Sequence, residues 1–146
     1  MRGTTMSLFD NKSVTVYNKY TDKITEKEIW LPTLLPNADY SVTKGANITA
    51  SGMDTADAVK VYISKSALPK PYKSPIEWQA LTSSEKPLYV TFTEGTDFFV
   101  LADTTSVTIL TSGFFAYMQK HYTDCYKITT VDRYEDILPH YEIGGK

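Results

Sequence analysis

Apolar and polar positions alternate with a period of two along much of the chain, which is the signature of β-strands. In Ser13 to Tyr20, Val14 and Val16 share one face while Thr15 and Tyr17 share the other. A turn at Thr21-Asp22 and a resumed strand over Lys23 to Leu31 complete a first β-hairpin. Pro32 and Pro36 have no N–H to give to a ladder and are expected to end that strand. Asp39 to Thr43 and Asn47 to Ser51 flank Lys44-Gly45-Ala46 as a second candidate hairpin, with Gly45 at positive φ and a loop following at Ser51-Gly52 and Asp54. Ala58 to Ser64 is the cleanest strand, with Val59, Val61 and Ile63 on one face.

Residues 65–87 interrupt this pattern and hold four of the seven prolines. Within them Ser74-Pro75-Ile76-Glu77 has the chemistry of a helix start: a capping hydroxyl, a proline at the first helical position and a glutamate to close a capping box. A short helix over about Pro75 to Thr82 is expected. Leu88 to Phe92 and Phe98 to Leu101 read as a third hairpin around Thr93-Glu94-Gly95-Thr96. Ser106 to Leu110 fits either a strand or the lead into a helix. Ser112 to Tyr122 is helical, with Phe114, Phe115, Met118 and Tyr122 on one face. Tyr126 to Asp132 is a strand with Tyr126, Ile128 and Thr130 opposite Lys127, Thr129 and Val131; after Pro139 a short strand spans His140 to Ile143, before a Gly144-Gly145 end.

The pattern therefore describes one mainly β domain over 1–146, a small β-barrel or sandwich of six to eight strands with two short helices. An N-terminal arm of about 1–10, an insertion of about 65–87 and a tail of about 133–146 stand outside its repeating part. Composition agrees: 20 Thr, 9 Val and 9 Ile join 11 Tyr, 6 Phe and 2 Trp, the residue types that suit a pleated sheet. No apolar run reaches membrane-spanning length, and the first ten residues lack the apolar stretch of a signal peptide.

Charge and chemistry narrow the function classes. With 15 Lys+Arg against 17 Asp+Glu the net charge is −2, and only Arg2 and Arg133 offer a guanidinium. That balance does not fit a protein that binds nucleic acid by neutralising phosphates. A single cysteine, Cys125, precludes an internal disulfide and a cysteine-based zinc site, and two histidines, His121 and His140, leave little for a histidine metal centre. No cofactor is expected. His121-x-x-x-Cys125 with Asp124 is the one cluster resembling a nucleophile site, but the helix ends near Tyr122, and a packed cysteine beside a surface histidine is the better account. Glu26, Glu28 and Glu77, or Asp132, Glu135 and Asp136, could be posed as paired carboxylates or a cation site; they read better as the solvated face of a strand and a polar loop. The tyrosines are spread along the chain as packing and interface residues. The proline-rich insertion and the C-terminal strand are the best candidates for partner contact. The candidate contact residues are Pro69, Pro71, Tyr72, Trp78, His140, Tyr141, Ile143 and Lys146.

Several segments carry a resemblance: S-V-T-V-Y-N-K-Y (13–20), T-K-G-A-N-I (43–48), S-G-M-D-T-A-D-A-V-K-V-Y-I (51–63), F-T-E-G-T-D-F-F-V (92–100), K-I-T-T-V-D (127–132) and H-Y-E-I-G-G-K (140–146). In this order they resemble a family of small proteins encoded among the capsid and tail genes of tailed bacteriophages and prophages of Gram-positive bacteria. Thr96 between Gly95 and Asp97, and the stretch Glu135 to Leu138 with Tyr141, depart from that family's pattern. The resemblance implies a structural, non-enzymatic role in the virion, made in the bacterial host cytoplasm and placed at the neck. There it would be a head–tail connector subunit, in head closure, forming homo-oligomeric rings of about six or twelve copies between the portal and the tail proteins. DNA would touch it only in passing, and a small negative charge would let DNA slide through. Tail completion, tail terminator or minor capsid protein are the alternatives within that class, and a carbohydrate- or ligand-binding β module is the alternative outside it.

Overall fold

The computed structural model describes residues 12–43 and 58–146. Six antiparallel strands are found among them: β1 (Lys12–Thr21), β2 (Glu28–Val42), β3 (Val59–Ser64), β4 (Phe98–Val100), β5 (Cys125–Tyr134) and β6 (His140–Gly145). They are hydrogen-bonded in the order β1-β2-β3-β6-β5-β4, and β4 returns to β1 through Thr15–Val100 to Tyr17–Phe98, so the sheet closes into a barrel. The fold is mainly β with two short α-helices, α1 (Pro75–Gln79) and α2 (Phe114–His121). The N-terminal arm and the 47–51 half of the second hairpin lie outside the described residues. The other half, at the end of β2, pairs with β3, from Asp39–Tyr62 to Val42–Val59.

Two buried clusters explain which face each strand residue takes. Inside the barrel lie Val14 and Val16 of β1, Val59, Val61 and Ile63 of β3, Phe99, Ile128, Tyr141 and Ile143. Outside, against β1 and β4, lie Tyr17, Phe98, Val100, Trp30 and Cys125, covered by Phe114 and Met118 of α2. Both faces of β1 are thus buried, and Val14 through Asn18 have almost no exposed surface. Tyr17 stacks on Phe98 with centroids 4.7 Å apart. Thr15 Oγ1 donates to the Ala102 carbonyl at 2.7 Å, and Tyr17 Oη lies 2.7 Å from Thr104 Oγ1, so the loop after β4 is tied down in place of the element expected at 106–110.

Three expectations change for non-local reasons. Pro32 and Pro36 do not end β2, which runs through both to Val42. The register slips between Lys12–Ala38 and Val14–Leu35, so Pro36 sits at a bulge where no ladder N–H is required. Pro32 falls where β2 pairs with β1 alone and the side away from β1 carries no ladder. Residues 88–92 and β4 do not form a hairpin, because β4 already has β1 on one side and β5 on the other. Instead Asn18 docks the 88–92 segment through its amide, donating to the Thr91 carbonyl at 2.6 Å and accepting from Thr91 N at 3.3 Å. Finally, a bulge between Ile128 and Thr130 reverses the alternation in β5, so Ile128 and Val131 both pack on the interior cluster.

The tail is part of the barrel: β6 is flanked by β3 and β5 along its length. Its Gly145 is a packing requirement, since a Cβ there would stand 2.7 Å from Phe99 Cζ and 2.9 Å from Tyr126 Cβ. A strand paired on both sides has no edge to add to a neighbour's sheet, which removes the β6-addition mode of partner contact.

Candidate interaction site

One end of the barrel is where β1, β3 and β5 finish and β2 and β6 begin. The 65–87 insertion leaves from this end, at Ser64, and folds back onto the barrel. Its capping box forms as the sequence requires, with Ser74 Oγ accepting from Glu77 N at 3.3 Å and Glu77 Oε1 accepting from Ser74 N at 3.1 Å. Trp78 is fully buried and its indole N–H donates to the Lys86 carbonyl at 3.3 Å. The Lys86 ammonium donates to the carbonyls of Gln79, the last residue of α1, and of Leu81 just past it, over the rings of Tyr20 and Trp78. Burial pushes its pKa below the usual lysine value. Tyr72 packs against Phe92 and Tyr141, with centroids 5.6 and 4.8 Å away.

This packing leaves a cleft of about 590 Å³ lined by Lys65, Leu68, Pro69, Lys70, Pro71, Tyr72, Arg133 and Tyr141. Four of the residues singled out in the sequence, Pro69, Pro71, Tyr72 and Tyr141, meet here although 69 and 141 are far apart in the chain. Three cations line the cleft and no carboxylate does. Lys65 is paired with Glu135 and lies over the Tyr141 ring. Lys70 donates to Thr33 Oγ1 at 3.1 Å, and burial holds its pKa below the normal range. Arg133 stands over the Tyr72 ring at 5.9 Å. Neither Lys70 nor Arg133 makes an ion pair among the described residues. Sequence reasoning passed over these cations. The available signals were that Lys70 sits between two prolines and that Arg133 is one of two arginines in the chain.

The β5–β6 loop rises beside the cleft. Ile137 and Leu138 are 90 % and 75 % exposed, and Leu138 holds a left-handed φ of 57°, which costs energy for a residue with a branched side chain. His140 braces this tip: its Nδ1 lies 2.8 Å from the Leu138 carbonyl, its ring stacks on Tyr134 at 4.7 Å, and its Nε2 lies 3.0 Å from Glu142 Oε2. The Glu142 carboxylate, and then the Leu138 carbonyl, raise the His140 pKa.

The other candidate contacts are placed differently. Trp78 and Ile143 are core residues, 0 % and 1 % exposed, and so do not present a surface to a partner. Tyr141 is only 3 % exposed and acts as the floor of the cleft. Lys146 lies away from this end, its main chain paired with Lys127. Among the tyrosines, Tyr17 and Tyr141 are buried, while Tyr117 and Tyr134 reach 36 % and 44 % exposure, so they form no continuous exposed aromatic row.

The histidine–cysteine pair does not form a nucleophile site. Cys125 is buried among apolar residues and desolvation pushes its thiol up to about 12, which keeps it protonated near neutrality. His121 is exposed, stacks on Tyr117 and lies 2.8 Å from the Tyr117 carbonyl. Glu77 is engaged in the capping box, Glu28 in an ion pair with Lys19, and Glu135 with Lys65. No group of three or more metal-ligating side chains converges among the described residues, and none of their helices is long and apolar enough to cross a membrane.

No curated protein and no solved structure matches the chain. A family of unknown function (DUF6751) matches residues 9–146, nearly the whole sequence, and the chain belongs to that family.

Proposed function

We propose that the protein is a virion structural subunit of a tailed phage, a head–tail connector of the head-closure kind that assembles as a ring between portal and tail. The observation that carries this reading is the distribution of exposed apolar side chains. Ile24, Ile76, Leu88, Ile137 and Leu138 are between 63 % and 94 % exposed. They come from the β1–β2 turn, the insertion with the residue that follows it, and the β5–β6 loop, which leave the barrel at the end that holds the cleft. Single exposed apolar residues are ordinary, but a set gathered by topology at one end marks a surface that meets other protein. The closed sheet fits the same view: with β6 enclosed between β3 and β5, contact through the C-terminal strand is closed off, and the exposed apolar side chains lie on the loops at this end. The segments quoted from the sequence supply the phage context, and the small negative net charge suits a channel that DNA passes through.

The test is the solution mass of the purified chain mixed with its portal and tail partners, measured by analytical ultracentrifugation. A complex containing several copies of the chain per portal ring is the expected result. A chain that stays monomeric in the presence of both partners overturns the connector reading.

A further inference from the structure

We propose that the β5–β6 tip of one copy docks into the Lys70–Arg133 cleft of the next, a head-to-tail contact that builds the assembly. This rests on the ring-subunit reading above and names its interface. The tip carries Asp136, Ile137 and Leu138: one carboxylate without an ion pair among the described residues and two apolar side chains held in solvent. The cleft offers the complement, two cations without ion pairs, Lys70 and Arg133, between the apolar walls of Leu68, Pro69, Pro71 and Tyr72. Within one chain the tip does not fill the cleft. Glu135 anchors it to Lys65 at the rim, and Ile137 and Leu138 remain exposed.

The bracing by His140 matters here. Stacking on Tyr134 and contact with the Leu138 carbonyl hold the tip in a strained form before any partner arrives, so little ordering remains to oppose docking. A head-to-tail contact of tip in cleft closes into a ring when the rotation between copies permits.

Disulfide trapping between two variants tests this without a template. Ile137→Cys and Pro69→Cys are both at exposed positions, and the native Cys125 is buried. When the two chains are mixed and mildly oxidised, the mixed 137–69 dimer should exceed its statistical share over the two homodimers by roughly tenfold, as a docked contact raises the effective concentration of the two thiols. Adding Lys70→Glu to the Pro69→Cys chain should abolish the excess, and adding Asp136→Lys to the other chain should restore it. A statistical mixture, or an excess insensitive to these charges, overturns the proposal. If that happens while rings still form with the portal, only this interface fails. If rings fail to form with the portal, the ring-subunit reading fails, and trapping between free copies still decides the contact.

Discussion

Asp97 shows how much of this fold is carried by single polar side chains. It is 1 % exposed and accepts from Lys19 N at 3.0 Å, Asn18 Nδ2 at 2.9 Å and Thr93 N at 3.0 Å. It thereby joins β1 to the turn that precedes β4. Burial raises its pKa from 3.8 to about 6, against the opposing pull of those donors. A carboxyl whose folded pKa lies above its unfolded one contributes stability that is complete below about pH 4 and is lost as pH rises through about 6. At about 1.4 kcal/mol per unit, the loss is on the order of 3 kcal/mol. His140 has the same sign at higher pH: its contribution is complete below the unfolded value of 6.5 and is lost as pH rises through its raised folded value. The melting temperature should therefore climb as pH falls from 8 to 5. The carboxylates held below their ordinary range, Asp22, Glu77, Glu85, Asp103 and Glu135, reverse this trend under more acidic conditions. Asp97→Asn should cost about 1–3 kcal/mol at pH 7, since one amide N–H₂ must face a donor, and should remove the pH dependence between 4 and 6. Thermal melts from pH 4 to 7 measure both, and an unchanged slope between 4 and 6 in the variant would contradict the assignment.

At the scale of elements, the insertion is held to the barrel by Trp78 and started by Ser74. Trp78→Ala should lower stability by about 3–5 kcal/mol, and Ser74→Ala by about 1 kcal/mol, each within one cooperative urea transition. If Trp78→Ala left the urea midpoint untouched, the insertion would be an arm hanging free of the barrel. The elements that could be read in the sequence are those whose cause is local: the alternation in β1 and β3, the capping box of α1, the apolar face of α2 and the strand at 140–143. What could not be read depends on distant partners. Nothing near Pro36 announces the bulge that lets β2 continue, and nothing near 88–92 reveals that both sides of β4 are taken by β1 and β5. The cleft was half legible for the same reason. Its prolines and Tyr72 stand out within one segment, whereas Arg133 joins them only because β5 and β6 place it opposite.

For the whole molecule, barrel closure takes the C-terminal strand out of the surfaces open to association. β6, which as a free terminal strand could have joined a neighbour's sheet, is enclosed between β3 and β5. The exposed apolar loop residues share one end with a cationic cleft. A monomeric ligand-binding module would gain nothing from Ile24, Ile137 and Leu138 standing in water, whereas a ring subunit would bury them. The most direct measurement is an electron cryo-microscopy map of a tailed-phage particle whose genome carries this sequence, the setting the proposed function requires. The expected result is a ring of these barrels between portal and tail, with the cleft end turned into a contact between subunits. Particles with a complete neck in which no ring density fits this barrel would contradict it.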